Sequence, residues 1–288
     1  DQIDRAVEEG LLDSLQDGLI DININYNQKK ITITDNATGI KSSKVQSTLK
    51  DIAKSGKDRT KNKGFRGIGR LGGLAYCDRL TFETSAKGES IKSTLIWDSQ
   101  KLKAIINNRA TKEDAIKVID DVTEFSTSKA EKAEHYFKVI LNGVSNEELL
   151  DKDDIYNYLS MVSPVPYNKG FVYKSRIYNY VKENNQQIDE YKILVNRNQV
   201  FKNYSTSIYA GESGNKKKVD EVYDIEFFNV DDENGVIIAW GWYSISKFEK
   251  VMPSVNTARS IRLRKGNIQI GLEDCLTKLF IIDTAIFC

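Results

Sequence analysis

Ile31-Thr32-Ile33-Thr34-Asp35-Asn36-Ala37-Thr38-Gly39-Ile40 alternates apolar with polar residues and then breaks off into small, turn-forming ones. Alternation at period two marks a strand with one buried face. The same pattern in Ile20, Ile22 and Ile24, with Asn27-Gln28-Lys29 between the two runs, makes the pair a hairpin. An Asp at the strand's end, followed by a small residue and a Gly, suits a backbone that bends sharply and lets a flat ligand approach closely. A plain Asx turn uses the same letters, so the neighbouring segments have to decide between the two.

Upstream, Ile3, Val7, Leu11 and Leu15 recur at four-residue steps between Gln2 and Gln16, which predicts one helix with a slowly drifting apolar face. Glu9, Asp13 and Gln16 form a separate polar stripe on it, a pattern that a solvated helix face also produces. Downstream, Ser43-Lys44-Val45-Gln46 has the form of a capping box, and Val45, Leu49 and Ile52 follow at helical spacing. A second helix is therefore predicted to run to about Lys54 and to stop near Gly56. Lys57 to Lys63 is polar, basic and aperiodic, as expected of a mobile loop. It leads into Gly64-Phe65-Arg66-Gly67-Ile68-Gly69-Arg70, a short helical stretch from Leu71 to Tyr76, and a strand from Leu80 to Thr84.

Glycines let backbone N–H groups crowd around phosphate oxygens, and a helix starting just after them adds its positive end. Phosphate binding is thus the natural use of this segment. It is no Walker A loop, because the Gly-Lys-Ser/Thr ending is absent. Gly67-x-Gly69-x-x-Gly72 matches the dinucleotide fingerprint in letters, but a basic loop precedes it where a strand is required. A protein-kinase loop is excluded by the lack of a His-Arg-Asp catalytic motif, since the single histidine, His135, sits in the strand-like pattern His135 to Leu141 and reads as structural.

Taken in order across residues 9–84, the acidic helix, the strand ending in Asp-Asn-x-x-Gly-Ile, the basic loop, the glycine segment and the strand ending in Thr resemble the Bergerat ATP-binding fold of the GHKL superfamily, which includes gyrase B, heat-shock chaperones, histidine kinases and MutL. The resemblance implies an α+β protein: a Bergerat-type α/β sandwich over residues 1–148, followed by a smaller mixed α/β, transducer-like domain over 149–288. It implies ATP and Mg²⁺ as ligands and ATP hydrolysis as the activity. Glu9 then matches the general base that deprotonates the attacking water. Asp13 falls where the family usually has a magnesium-ligating Asn, and Gln16 where it usually has an Asp; an Asp oxygen is an equally hard donor for Mg²⁺.

Asp35 matches the carboxylate that accepts the adenine amino proton, a contact that a guanine carbonyl would turn into two facing acceptors. Gly39 is retained from that motif together with Ile40, whereas Ala37 replaces its first glycine. Thr84 matches the strand threonine that supports adenine through water. Gly64, Phe65, Arg66, Gly67, Ile68 and Gly69 match the phosphate loop, with Lys54 to Lys63 as the lid that closes over nucleotide and excludes water.

In the second half, Pro164-Val165-Pro166 follows a short helix ending near Met161, and Tyr191 to Val195, Val222 to Val230 and Val236 to Ile245 are expected as strands of the second domain. Asp231-Asp232-Glu233-Asn234-Gly235 is expected as the turn of a long hairpin. Ala258 to Asn267 is the densest basic cluster here, including Arg259, Arg262, Arg264 and Lys265; it suits either a solvated hairpin or the cation that transducer domains send to the γ-phosphate.

Charge is balanced, with 42 Lys plus Arg against 41 Asp plus Glu, so no global field favours a nucleic-acid or membrane partner. Cys77, Cys275 and Cys288 are too few for a disulfide framework or a four-ligand zinc site, no apolar run approaches the roughly 20 residues that span a bilayer, and no signal peptide is visible. The expectation is a soluble cytoplasmic protein. The missing initial Met and the apolar ending Leu279-Phe280-Ile281-Ile282 add the expectation of a fragment, and the resemblance that of an ATP-dependent homodimer. Chaperone and DNA-processing roles share the same module, and fold does not choose between them.

Overall fold

The computed structural model of the chain describes residues 2–51, 69–108, 114–210, 217–247 and 261–271. At its centre is the hairpin read from the alternation. Strands β1 (Leu19–Asn25) and β2 (Lys30–Asp35) pair antiparallel, with Ile22 opposite Ile33 and Ile24 opposite Ile31. Around them form β3 (Arg79–Ser85), β4 (Ile91–Asp98), β5 (Thr123–Lys129), β6 (Tyr136–Asn142), β7 (Lys192–Val195) and β8 (Asn198–Gln199). They make one eight-stranded sheet in the order β5-β4-β3-β6-β2-β1-β7-β8. One face of that sheet is apolar: Ile22, Ile24, Ile31, Leu80, Phe82, Leu95, Trp97 and Leu141 are all buried. Each contributes about 2 kcal/mol of burial free energy.

Helices α1 (Gln2–Glu8), α2 (Ser42–Leu49), α3 (Ser99–Asn107) and α4 (Ala115–Asp121) complete this unit, giving the expected mixed α/β sandwich. The opposite sheet face is polar and half-exposed. At its middle Glu83 accepts hydrogen bonds from Tyr136 Oη (2.8 Å), Lys138 Nζ (2.8 Å) and Lys92 Nζ (3.2 Å). Burial alone would raise the Glu83 pKa, but these donors and the lysine charges outweigh it and hold the carboxyl down at about 2.

Two helix expectations are corrected. The first helix does not reach Gln16, because Gly10 takes a left-handed conformation (φ +67) and ends it. Leu11 N then donates to Ala6 O (2.8 Å) and Gly10 N to Val7 O (3.0 Å), the two bonds of a Schellman cap. A 3-10 turn, Leu15–Asp17, carries the chain on into β1. The second helix stops at Leu49, short of Lys54, and its first N–H, on Ser42, is capped by the Glu89 carboxylate at 2.9 Å and not by a local capping box. The stretch after Gly69 is a 3-10 helix, Gly69–Ala75.

The chain divides into two compact units, Asp1–Leu159 with Glu190–Val200, and Ser160–Asp189 with Phe201–Cys288. The change of unit falls inside α5 (Lys152–Val162), eleven residues beyond the expected break at 148. β7 belongs to the first unit's sheet and not, as expected, to the second domain. It pairs parallel with β1, setting Ile193 beside Ile20 and Val195 beside Ile22, where both extend the apolar face.

In the second unit α6 (Lys174–Glu183) buries Ile177 and Val181 against Ile208 of β9 (Ser207–Ala210) and Val222 and Ile225 of β10 (Lys217–Asp231). Strand β11 (Ile237–Ser246) completes the predicted long hairpin. Its turn is fixed by Gly235 (φ +77) and by Asp232, whose carboxylate accepts from Asn234 N and Val236 N. Strands β12 (Arg264–Lys265) and β13 (Ile268–Gln269) form a second, short hairpin.

Candidate functional site

Residues directly opposite one another on paired strands point to the same face of a sheet. Through successive pairings Ile20, Asp35, Phe137, Thr84 and Ser93 form a single row across β1, β2, β6, β3 and β4. The next row, Ile22, Ile33, Val139, Phe82 and Leu95, is wholly apolar. Asp35 and Thr84 thus share one face, two strand spacings or about 10 Å apart. Helices cover this face: Ala37 clusters with Ile3 and Ala6 of α1, and Ser93 Oγ donates to Ser42 Oγ of α2 at 3.1 Å.

Asp35 ends β2, and its Oδ1 accepts from Ala37 N at 3.1 Å, so the Asx turn that the letters allowed is present. That leaves Oδ2 without a hydrogen bond to any described residue. Burial raises the Asp35 pKa, and the Ala37 N–H offsets this only in part. A carboxylate in this position has one oxygen spent on holding its own loop and one open to a donor.

The loop that follows is held at every residue. Asn36 Oδ1 accepts from Leu19 N (2.7 Å), and its Nδ2 donates to Asp17 O (2.9 Å). Thr38 Oγ1 donates to Gln2 Oε1 at 2.9 Å. At Gly39 (φ +64) an added Cβ would lie 1.9 Å from Ser85 O, so only glycine fits against β3. Ile40 N donates to Thr84 Oγ1 at 2.9 Å, and Thr84 Oγ1 donates to Tyr136 O at 2.8 Å. Thr84 is 1% exposed, so its hydroxyl proton is committed to the scaffold and only acceptor capacity remains for a ligand or water.

Glu9 lies one residue beyond the end of α1, exposed, with Oε1 accepting from Arg5 Nε at 2.6 Å. Asp13 is exposed in the bend between the Schellman cap and the 3-10 turn, and accepts no hydrogen bond from a described residue; Gln16 is exposed in that turn. The three do not share one continuous helical stripe, because Gly10 interrupts it. Lys54, Gly64, Phe65, Arg66, Gly67 and Ile68 lie outside the described residues, and so does the lid. Gly69 opens the 3-10 helix, and a Cβ added there would meet no described residue within 4 Å. Next to it Arg70 Nη2 donates to Asp51 O, while its buried Nε has no partner among the described residues.

Within the second unit's basic cluster, Arg264 donates to Met161 O (2.5 Å) and Asn267 O (3.0 Å), and Arg262 to Gln269 Oε1 (2.9 Å). Both arginines are committed to the β12–β13 hairpin and its surroundings. Ala258 to Ser260 lie outside the described residues.

Three side chains that build the loop carried no local signal in the sequence. His135 Nδ1 lies 2.8 Å from Ala37 O, one residue before β6 rather than within the strand. Tyr191 packs in the cluster with Ala37, and its hydroxyl reaches both oxygens of Asp4, at 2.9 and 3.1 Å. Partners 98 and 187 residues apart leave no trace in spacing or periodicity.

The arrangement offers one carboxylate oxygen unbonded among the described residues beside an apolar row, a glycine-permitted close approach and acceptor capacity at Thr84, which together suit a flat, amino-bearing heterocycle. Against known families, residues 3–128 match the one described as Histidine kinase-, DNA gyrase B-, and HSP90-like ATPase. No curated protein matches the chain. The matched segment contains Ile20, Asp35, Thr84 and Ser93 of the row but not Phe137, together with the Asp35–Ile40 loop and the segment from Lys54 to Arg70. Residues 3–128, somewhat less than half of the chain, are therefore similar to the histidine kinase-, gyrase B- and HSP90-like ATPase family, a family of ATP-binding and ATP-hydrolysing domains.

Proposed function

We propose that this chain is a Mg²⁺-dependent ATPase whose adenine amino group donates to Asp35 Oδ2, with the ring against the face that carries Phe137 and Thr84. The observation that carries the reading is the Asp35 carboxylate itself: one oxygen bonded to Ala37 N, the other without a partner among the described residues, next to the apolar row that begins at Ile33. Gly39 lets the loop lie close against β3, and Thr84 fixes where the loop leaves it. Residues 54–63 serve as the lid, and the glycines from Gly64 to Gly69 take the phosphates.

Hydrolysis is in-line attack of water on the γ-phosphorus. The new P–O bond forms as the bond to the β–γ bridging oxygen breaks, ADP leaves, and the water proton passes to Glu9. Asp13 would supply a hard, exposed oxygen to hold Mg²⁺, and the ion would supply positive charge to offset that of the phosphates. Lid closure excludes bulk water from the phosphates. We further assign the transducer role to the second unit, ATP-dependent pairing of two copies as the output, and the cytoplasm as the compartment.

A second reading is favoured by one specific contact. Glu9 Oε1 is held by Arg5 Nε at 2.6 Å, a contact it would have to leave to orient the attacking water. The chain would then be an ATP-binding switch with little turnover. Steady-state ATPase measurements on the parent protein and Glu9→Ala separate the two. Turnover that Glu9→Ala abolishes supports the enzyme; equal, negligible turnover of both, with Mg·ATP still bound, supports the switch.

A further inference from the structure

The loop between β2 and α2 is hydrogen-bonded within itself, to Gln2 of α1, to Asp17 and Leu19, to Thr84 of β3, and to one side chain from outside the family-matched residues. That side chain is His135. Its Nδ1 is 2.8 Å from the carbonyl oxygen of Ala37, and a carbonyl can only accept, so Nδ1 carries the proton. Ala37 is 1% exposed, so its carbonyl has little recourse to water in place of the imidazole.

The same residue is held from its other end. Ala37 N–H donates to Asp35 Oδ1, which orients the carboxylate and leaves Oδ2 open. With N–H and C=O both tied, the two backbone torsions of Ala37 are fixed. The family pattern has a glycine at this position, as noted above, and a glycine's backbone is the freest of all. Ala37 and His135 together therefore set by side chains what a glycine leaves loose.

We propose that His135 is a positioning residue for the nucleotide site: its Nδ1–H clamps the Ala37 carbonyl and so holds the Asp35 carboxylate in the orientation that receives adenine. The proposal rests on the adenine reading of Asp35. Because the clamp acts on the base-binding loop alone, its loss weakens adenosine monophosphate and ATP by the same factor. A general loosening of the protein would instead scale with the number of phosphates held.

The test is calorimetric titration of AMP and of a non-hydrolysable ATP analogue with Mg²⁺ into the parent chain, His135→Ala and His135→Asn, beside thermal melts of each. His135→Ala is expected to weaken both ligands about tenfold, equivalent to about 1.4 kcal/mol. His135→Asn, whose carboxamide N–H donates from nearly the same place, is expected to recover affinity to within about threefold of the parent, or about 0.65 kcal/mol. As His135 is the single histidine, ¹⁵N spectra of the imidazole report its tautomer without assignment, and the Nδ1-protonated form is expected. Unchanged affinity in His135→Ala, or an Nε2-protonated ring, overturns the clamp while leaving the adenine site intact. If the parent chain itself binds neither ligand, the adenine reading falls and the clamp falls with it. If His135→Ala fails to fold, His135→Asn and the tautomer decide the matter alone.

Discussion

Gly39→Ala concentrates the strain of the whole site into one methyl group. Gly39 has φ +64, where an L-residue costs about 1–2 kcal/mol more than glycine. The added Cβ would also stand 1.9 Å from Ser85 O, 2.8 Å from Ser85 C and 3.0 Å from Tyr136 O. All three are backbone atoms of paired strands and cannot rotate aside. The loop must retreat by about 1 Å to reach tolerable contact, and a shift of that size stretches Ile40 N–H···Thr84 Oγ1, adding about 1–3 kcal/mol for a buried polar group left unpaired.

The sum is about 2–5 kcal/mol, a large fraction of the stability of an ordinary domain. Gly88→Ala is the matched control. Gly88 also has positive φ (+92) but nothing within 4 Å of a built Cβ, so it isolates the backbone strain at about 1–2 kcal/mol. Urea unfolding of both variants and the parent measures the difference, and calorimetry with ATP measures what survives of the site. Gly39→Ala should lose about 1–3 kcal/mol more than Gly88→Ala and should not bind ATP detectably. Equal losses in the two variants would refute the close approach of the loop to β3 as the reason for glycine.

Thr84→Val strips the hydroxyl that joins Ile40 N–H to Tyr136 C=O and is expected to cost about 2–3 kcal/mol in urea unfolding, while Thr84→Ser keeps the bridge and costs less than about 1 kcal/mol. Tyr191→Phe removes only the hydroxyl that bonds Asp4, so a loss of about 1.5 kcal/mol is expected, and none beyond it when made in an Asp4→Ala background. Glu83 gives the pH dependence. Its folded pKa lies below the ordinary 4.5, at about 2, so its stabilisation is complete above the unfolded value and lost as pH falls through the folded one. Discounted for partly exposed lysine partners, this amounts to about 1–2 kcal/mol, so the parent should lose that much more than Glu83→Gln between pH 5 and pH 2. Parallel stability curves for the two would place the network's contribution at zero.

The sheet was legible wherever its pairing is local. Ile20 to Ile33 shows period-two runs and Val222 to Ile245 two runs rich in β-branched and aromatic residues, each pair joined by turn residues, and both form hairpins in the expected place. The turn after β2 was legible too: the Asx turn that the letters allow forms at Asp35, and Gly39 takes the positive φ that a sharp bend favours. The first helix was overextended because Leu11 and Leu15 continue a four-residue spacing, while Gly10, the residue that ends it in a left-handed cap, was passed over in favour of that periodicity. Glu89 as the cap of α2, β7 beside β1, and His135 on Ala37 all depend on partners at least 47 residues away. No local pattern encodes such contacts. They follow only once the strand order is fixed.

The central claim, an adenine site built on Asp35, is tested most directly by calorimetric titration of Mg·ATP and Mg·GTP into the parent chain and Asp35→Asn. The carboxamide has nearly the shape of the carboxylate but no charge, so the fold should survive while the acceptor is weakened. ATP should bind the parent at least about tenfold more tightly than GTP, and Asp35→Asn should lose at least about tenfold of the ATP affinity. Equal affinity for ATP and GTP, or an Asp35→Asn variant that binds ATP as well as the parent, would contradict the account.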